Sequence, residues 1–301
     1  MIIVRTILRA LGTFYFYHQI MFWGLMCPVL GLPARLFTFW FDHGRRIPHA
    51  CAQICWGYLN FWTNPFWSVE VEGKEHLQGG GPFLVCCNHQ SLIDSLAMLL
   101  IGHQVKFISH AKVFTAPILG LYMRVCGYIS VDPANPFPAP EVARTIQGWW
   151  DQGESVCLYP EGTRSPDGEL QPFKVGGFRL ARSAQVAVVP VAIDGTHPIL
   201  PKGGWTFKGS PFHRIRVKIL PPITAEQYGD DAILLCRMTH NAIDEALGEM
   251  RGRVRDPEAR PSLEESVSIE TPMPEDLAAE LGDEQLGDED LGEEERRIAH
   301  A

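Results

Sequence analysis

Short apolar runs alternate with helical patterns along most of the chain. Residues 83–87 are continuously apolar, which is typical of a strand buried on both faces of a sheet. Residues 95–101 then have the apolar pattern expected of a helix. Because strands and helices alternate in this way, the sequence predicts an α/β fold with a mostly parallel central sheet flanked by helices. Further strands are predicted at residues 68–72, 105–108, 127–131, 155–159, 186–193 and 215–219, and further helices at 117–126, 141–152, 176–183 and 225–250.

The N-terminal part has a different pattern, because residues 10–34 contain no charged side chain. Such a segment can cross a bilayer, lie in it as a monotopic hairpin or interfacial helix pair, or form a core helix. Basic residues flank it on both sides, which disfavours a single span, and Pro28 and Pro33 disfavour a straight one. Residues 36–67 are rich in Phe and Trp, which favour the membrane interface. We therefore expect N-terminal membrane-associated helices over residues 1–67, monotopic in preference to spanning.

The charge is unevenly distributed along the 301 residues. The net charge is −9, but residues 256–301 contain 16 acidic and 3 basic side chains, which leaves the first 255 residues at +4. The acidic segment lacks aromatic residues, so we expect a disordered tail there. The mildly basic remainder suits an anionic membrane surface or a phosphorylated substrate. Nucleic acid is not expected as a partner, because no dense stripe of basic and aromatic residues is present.

The eight cysteines lie mostly inside apolar runs, where a free thiol packs as a small hydrophobic group. Cys51 and Cys55 are four residues apart but lack a matching second pair, so we expect no metal site. This usage fits a reducing, cytosolic environment.

His89 and Asp94 lie at the predicted turn between the strand at residues 83–87 and the helix that follows. In one continuous helix, residues five apart point about 140° away from each other. The pair can therefore touch only if His89 precedes the helix and Asp94 lies in its first turns. Asp94 would then hold one ring nitrogen of His89 and leave the other to act as a general base. The alternative is an ordinary loop histidine beside a helix N-terminal acid, because the spacing alone is common.

A second polar cluster, residues 159–165, begins at the end of the predicted strand at residues 155–159. It places a carboxylate, a glycine, a hydroxyl and a guanidinium in succession. Gly162 permits a tight turn and a close backbone approach, and Arg164 can bind a phosphate with two donors at once. The alternative is a solvated turn, and residues 165–168 fit that description.

With these two clusters the chain resembles the PlsC-type glycerolipid acyltransferase family, the 1-acylglycerol-3-phosphate O-acyltransferases and related lysophospholipid acyltransferases. The resemblance rests on the Asn-His-x4-Asp block at residues 88–94, the Pro-Glu-Gly-Thr-Arg-Ser block at residues 160–165 and the Phe-Lys-x-Gly pattern at residues 173–176. Residues 127–132 and 189–191 fall where the family's second and fourth blocks belong. The resemblance covers roughly residues 60–222.

The resemblance implies that residues 68–255 form a membrane-bound acyltransferase domain. Such an enzyme moves a fatty acyl group from acyl-CoA or acyl carrier protein to a lysophospholipid hydroxyl, first of all that of 1-acyl-glycerol-3-phosphate, and needs no cofactor. His89 would be the base and Asp94 its orienting partner. The residues that would bind the acceptor's headgroup are Glu161, Gly162, Thr163, Arg164 and Lys174. The implied location is the cytoplasmic face of a bacterial inner membrane.

One position departs from the family's pattern. Its second block normally ends in an arginine, whereas this chain has Pro133, which carries no charge. Either another cation, such as Arg144, Lys174 or Arg179, replaces that arginine, or the acceptor is another lysophospholipid or a lyso-aminolipid. A third alternative is simple drift at this position in an active enzyme of the usual specificity. A catalytically inactive lipid-binding relative is a further alternative, which the presence of both His89 and Asp94 disfavours. A serine hydrolase is disfavoured because no Gly-x-Ser-x-Gly elbow is present.

Overall fold

A seven-stranded sheet forms the centre of the part of the chain that the computed structural model describes, which is residues 2–78, 81–132, 140–200, 203, 207, 212–253 and 266–268. The strands are β1 (Trp67–Glu72), β2 (Phe83–Cys87), β3 (Val105–His110), β4 (Ile129–Val131), β5 (Ser155–Leu158), β6 (Phe173–Lys174), β7 (Ala187–Asp194), β8 (His213–Ile219) and β9 (Val267–Ser268). The central sheet has the order β1-β8-β7-β2-β5-β3-β4, and its neighbours are parallel except for the antiparallel pair β7–β8. The predicted α/β class is therefore confirmed.

Helices pack on both faces of this sheet. They are α1 (Ile2–Thr38), α2 (Arg46–Ala52), a π-helix (Gln53–Leu59), α3 (Asn60–Trp62), a 3-10 helix (Lys74–Leu77), α4 (Ile93–Met98), α5 (Ala111–Phe114), α6 (Pro117–Val125), α7 (Pro140–Asp151), α8 (Gly176–Ser183), α9 (Ala225–Tyr228) and α10 (Ala232–Met250). One apolar cluster joins the sheet to α1, the π-helix and α4, and a second joins it to α7, α8 and α10.

Strand β2 links the two clusters because successive side chains of a strand point to opposite faces. Val85 and Cys87 belong to the cluster with α1 and α4, whereas Leu84 and Cys86 belong to the cluster with α7 and α10. All five residues of β2 are buried. Burial of one large aliphatic side chain is worth about 1.5–3 kcal/mol, which explains why this strand is apolar throughout.

Helix α1 is continuous over 37 residues and contains both Pro28 and Pro33. An interior proline removes one helical hydrogen bond and costs about 3 kcal/mol, so the sequence disfavoured a straight helix here. Packing of α1 against α2, the π-helix and α6 offsets that cost. Residues 6–38 are long and apolar enough to cross a membrane, which is weak evidence for a span. Large apolar side chains of the N-terminal helices point outward, among them Phe14, Met21, Leu36, Phe37, Trp40 and Trp62.

Gly31 of α1 lies close to Tyr122 of α6. A Cβ atom at Gly31 would lie 1.9 Å from the Tyr122 hydroxyl oxygen. Tyr122 is fully buried and donates a 2.7 Å hydrogen bond to the Pro48 carbonyl, so its ring has no room to move. The contact therefore fixes α1 against both α2 and α6.

All eight cysteines are free thiols, and all but Cys51 are buried. Two features of the sequence fall largely outside the described residues. Pro133 is one of them, and the other is the acidic tail, of which the structure describes only residues 266–268. There, β9 pairs with β6 in parallel. The domain bounds and the disorder of the tail remain predictions.

We expect Gly31→Ala to lower the free energy of unfolding by about 1–3 kcal/mol, the usual cost of overpacking. Gly24→Ala is the matched control in the same helix, because a Cβ there meets no heavy atom closer than 3.9 Å. It should be neutral or stabilise by up to about 1 kcal/mol, since alanine favours helix. Chemical unfolding of both variants in detergent measures the difference. Equal effects of the two substitutions would contradict the close contact.

Candidate active site

The two predicted polar clusters follow neighbouring strands of the sheet. β2 and β5 pair in parallel, with Cys86 opposite Leu158. Their carboxyl ends therefore meet at one edge, which is where ligands bind in open α/β sheets. His89 follows β2 by two residues, and Glu161 follows β5 by three. The fold thus brings together two segments that are about seventy residues apart in the sequence.

His89 and Asp94 are in direct contact. The His89 Nδ1 atom lies 2.8 Å from Asp94 Oδ2, and His89 precedes α4 whereas Asp94 is its second residue. The Asp94 carboxylate is fully buried, while the His89 side chain is 18% exposed. Because Nδ1 faces a carboxylate, it holds the ring proton, and Nε2 is left as a hydrogen-bond acceptor. The two side chains therefore touch because His89 precedes the helix and Asp94 lies in its first turn, as the five-residue spacing requires.

Asp94 also fixes the turn that presents His89. Its Oδ2 atom accepts backbone hydrogen bonds from Gln90 at 2.6 Å and from Ser91 at 2.7 Å. One carboxylate oxygen thus holds the imidazole and the two peptide units that follow it. The turn and the ring orientation depend on the same buried charge.

Tyr159 is a site residue whose role sequence reasoning missed. Its ring stacks on the His89 imidazole, with centroids 4.1 Å apart and planes 24° apart. The Tyr159 hydroxyl lies 3.3 Å from the Ser95 hydroxyl of α4. Burial raises the pKa of Tyr159 well above its usual value, so the phenol stays neutral. Tyr159 was included in the predicted cluster at residues 159–165 but was given no role, and its aromatic ring beside the polar residues is the signal.

Asn88 was also missed as a positioning residue. Its side-chain amide donates to the Ile193 carbonyl at 2.9 Å, and its carbonyl oxygen accepts from the Ile193 amide at 2.7 Å. These two bonds extend the hydrogen bonding between β2 and β7 beyond the end of β2, through the Asn88 side chain. It therefore sets where the chain leaves β2 and begins the turn that contains His89.

Three hydrogen bonds join the His89 turn to the segment after β5. The His89 amide donates to Glu161 Oε1 at 2.7 Å, and the His89 carbonyl accepts from the Ser165 amide at 2.7 Å. The Gln90 side chain donates to the Gly168 carbonyl at 3.1 Å. The two polar clusters therefore form one hydrogen-bonded unit.

Glu161 lies inside this unit. Its second carboxylate oxygen accepts a 3.2 Å hydrogen bond from the Gln171 amide, so both oxygens contact backbone N–H groups. Burial raises the pKa of Glu161 to about 8, and the bonds from His89 and Gln171 oppose that rise. These contacts give Glu161 a structural role at the site, and its role as a headgroup ligand remains a prediction.

The remaining predicted ligands form a turn beside Glu161. Gly162 has a left-handed backbone with φ of 70°, and a Cβ there would lie 2.8 Å from Lys174 Cε. A glycine is therefore required for the turn and for the passage of the Lys174 side chain. Thr163 is exposed and Arg164 is half-buried. Lys174 is tied to the same turn, because its amide donates to the Pro160 carbonyl at 2.9 Å.

The site thus combines a partly exposed histidine, held at Nδ1 by Asp94, with a turn that contains Arg164 and adjoins Lys174. A base of this kind can deprotonate a hydroxyl, and the cations can bind an anion attached to the same molecule. Among the described residues, no group of three or more His, Cys, Asp or Glu side chains is arranged to hold a metal ion.

Comparisons with known proteins agree with this geometry. The family model Acyltransferase matches residues 68–194. The chain is 34% identical over 221 residues to the chloroplastic 1-acyl-sn-glycerol-3-phosphate acyltransferase BAT2 of Brassica napus, over 73% of this chain and 62% of that protein. It is 34% identical over 183 residues to the alpha 1-acyl-sn-glycerol-3-phosphate acyltransferase of Ovis aries, over 58% of this chain and 61% of that protein. The chain therefore spans somewhat under two thirds of the length of these relatives.

The crystal structure of PlsC from Thermotoga maritima, a 1-acyl-sn-glycerophosphate acyltransferase, superposes with a TM-score of 0.66. It is 27% identical and matches 84% of this chain and 100% of that one. The fold and the His–Asp pair define an acyltransferase-type α/β domain. Residues 68–194 match the Acyltransferase family, and the chain is similar to the PlsC-type glycerolipid acyltransferases, as its motifs predicted.

The raised pKa of Glu161 leads to a prediction about stability. A carboxyl group with a higher pKa in the folded than in the unfolded state binds a proton on folding, so its contribution falls as pH rises. Between about pH 5 and pH 8 we expect the free energy of unfolding of Glu161→Gln to rise relative to the wild type. The relative change should be at least about 1.4 kcal/mol, the equivalent of one pKa unit.

Urea unfolding at several pH values measures this difference. Glu245→Gln is the control, because Glu245 is exposed on α10. The free energy of unfolding of this variant should change with pH as that of the wild type does. A constant difference between Glu161→Gln and the wild type from pH 5 to pH 8 would show that Glu161 is ionised throughout.

Proposed function

We propose that this chain transfers a fatty acyl group from a thioester, acyl-CoA or acyl carrier protein, to the free hydroxyl of 1-acyl-glycerol-3-phosphate and so forms phosphatidic acid. The observation that supports this most strongly is that the proposed base and the proposed phosphate-binding turn belong to one hydrogen-bonded unit. A buried carboxylate orients His89, and the peptide units of the same histidine bind the turn that contains Arg164. Relatives named as 1-acyl-sn-glycerol-3-phosphate acyltransferases support the same acceptor.

In the proposed reaction His89 Nε2 removes the proton from the acceptor hydroxyl as its oxygen attacks the thioester carbonyl. The resulting imidazolium is stabilised by Asp94, which lies 2.8 Å from Nδ1. The tetrahedral intermediate collapses by breaking the carbon–sulfur bond, and the thiolate that leaves takes the proton from His89. The ester and the free thiol are the products, and the histidine returns to its neutral form.

The acceptor's phosphate would bind at the turn formed by Gly162, Thr163 and Arg164. Arg164 can supply two parallel N–H donors, and the described residues place no carboxylate in an ion pair with it. Lys174 lies across Gly162 and would add a second positive charge, in place of the arginine that Pro133 replaces.

The membrane would supply both the acceptor and the setting of the reaction. The exposed apolar side chains of α1 and the neighbouring helices suit a monotopic association with the bilayer. Each acyl CH₂ group removed from water contributes about 0.8 kcal/mol, so a lipid acceptor favours an enzyme held at the membrane. The cytoplasmic face of a bacterial inner membrane is the location that we propose.

We expect His89→Ala to reduce kcat by roughly 10²–10⁴-fold, the usual contribution of a general base. Asp94→Asn should cause a loss of similar size, because an amide neither favours the same tautomer nor stabilises the imidazolium. His76→Ala is the control, since His76 lies in the 3-10 helix away from this edge of the sheet. Acyl incorporation from labelled acyl-CoA measures all three. Undiminished transfer by His89→Ala would rule out the mechanism.

The acceptor is tested by a panel of lysophospholipids with each acyl donor. We expect Arg164→Gln to raise KM for 1-acyl-glycerol-3-phosphate by roughly 10- to 150-fold, because a hydrogen bond between charged groups is worth about 1.5–3 kcal/mol. Arg237→Gln, at an exposed position of α10, should leave KM unchanged. If the wild type prefers a lysophospholipid without a terminal phosphate, the acyltransferase mechanism stands and the acceptor assignment fails.

A further inference from the structure

A cavity of about 490 Å³ lies beside the turn between α1 and α2. The turn is attached to the amino ends of the parallel strands. The Lys106 side chain of β3 donates to the Gly44 carbonyl, and Arg46 donates to Glu154, which directly precedes β5. The cavity is therefore at the edge of the sheet opposite to His89. Its walls are Arg35, Phe39, Trp40, His43, Arg45, Thr145, Gly148, Trp149 and Gln152.

Positive charge dominates this cavity. Arg35 and Arg45 both line it, whereas its lining contains no aspartate or glutamate. Burial lowers the pKa of Arg45, and the nearby Arg35 lowers it further, so the two guanidinium groups are close enough to repel each other. Each donates one N–H hydrogen bond to a backbone carbonyl, Arg35 to that of Asp42 and Arg45 to that of Arg124. A guanidinium has five N–H donors, so both retain capacity for an anion.

The neighbouring carboxylates are already engaged. The two Asp42 oxygens accept backbone hydrogen bonds from Arg46 at 2.7 Å and Ile47 at 3.0 Å. Glu154 accepts from the Arg46 side chain at 2.5 Å. Neither carboxylate lines the cavity, so the charge of the two arginines that face it is not neutralised there.

Two residues of the cavity wall have unusual backbone features. Arg45 has a left-handed conformation with φ of 51°, which is rare for a residue other than glycine and is typical of functional sites. Gly148 lies inside α7, where glycine is unfavourable, and a Cβ at this position would meet no atom within 4 Å. A larger residue would favour the helix, and its side chain would extend from the wall that the arginines also line.

The rim of the cavity is apolar and exposed. Phe39 is 57% exposed and Trp40 is 80% exposed, and both belong to the cavity wall. Exposed Phe37 and Phe41 flank them, at the end of the apolar helix α1. Aromatic side chains of this kind favour the level of the lipid headgroups. A ligand with an anionic head and apolar chains matches both parts of the site, whereas a free anion matches only the arginines.

We propose that this cavity binds the phosphate of an anionic membrane phospholipid, at a site separate from the one that holds the acceptor. The guanidinium groups of Arg35 and Arg45 hold the phosphate, and the aromatic rim contacts the first part of the acyl chains. This inference is independent of the chemistry proposed for His89.

The test uses the full chain in neutral detergent with dihexanoyl phosphatidylglycerol as the probe. We expect this lipid to raise the Tm of the wild type, and dihexanoyl phosphatidylcholine or inorganic phosphate at the same concentration to have little effect. Gly148→Glu adds a carboxylate to the wall that Arg35 and Arg45 also line and should weaken the apparent affinity at least tenfold. Gly148→Gln has nearly the same shape without the charge and should retain the response.

Arg35→Gln provides a second test, with Arg237→Gln as a control for the loss of one positive charge. The first should weaken binding and the second should not. The proposal is overturned if Gly148→Glu and Arg35→Gln both respond like the wild type, or if Arg164→Gln abolishes the response, since the lipid would then occupy the acceptor site. An equal response to inorganic phosphate would overturn the assignment to a lipid. Loss of acyl transfer in His89→Ala, with or without lipid binding, does not affect this result.

Discussion

The hydrogen bond from the His89 amide to the Glu161 carboxylate joins the two loops on which the proposed chemistry depends. Parallel pairing of β2 and β5 brings these loops to one edge of the sheet but leaves their mutual position open. The buried Glu161 carboxylate fixes it, because its two oxygens satisfy the amides of His89 and Gln171. A buried amide without a partner would cost about 1–3 kcal/mol, so each amide favours this single arrangement.

The same arrangement controls the orientation of the His89 ring. Asp94 holds the ring at one edge and Tyr159 covers one face, so rotation about the side-chain bonds is restricted. The peptide carbonyl of His89 also accepts from the amide of Ser165, which follows the turn proposed to bind phosphate. A base and an anion-binding turn that share one peptide unit stay at a fixed distance. Fixed distance and orientation of the reacting groups are a large part of the rate enhancement in transfer reactions.

The sequence predicts the short-range features of this site better than the long-range ones. Contact between His89 and Asp94 follows from a strand, a turn and a helix that are adjacent in the chain. The inward direction of Glu161 depends on the register between two distant loops, which no local pattern specifies. The stacking of Tyr159 on the histidine ring depends on the same register between the two loops. The continuous α1 differs from expectation for a related reason, since packing against α2 and α6 outweighs the local effect of Pro28.

Strand β5 connects the two charged features of the molecule. Glu154, beside the cavity, directly precedes it, and Tyr159, stacked on His89, directly follows it. The four residues of β5 span roughly 13 Å, which is more than one phosphate group can bridge. Phosphates bound at the cavity and at the Arg164 turn would therefore belong to two lipids. Phosphates of one leaflet lie at a common level, so occupancy of both sites would orient β5 along the membrane surface. Only an orientation that also turns the exposed apolar side chains of α1 toward the acyl chains is then compatible with the bilayer.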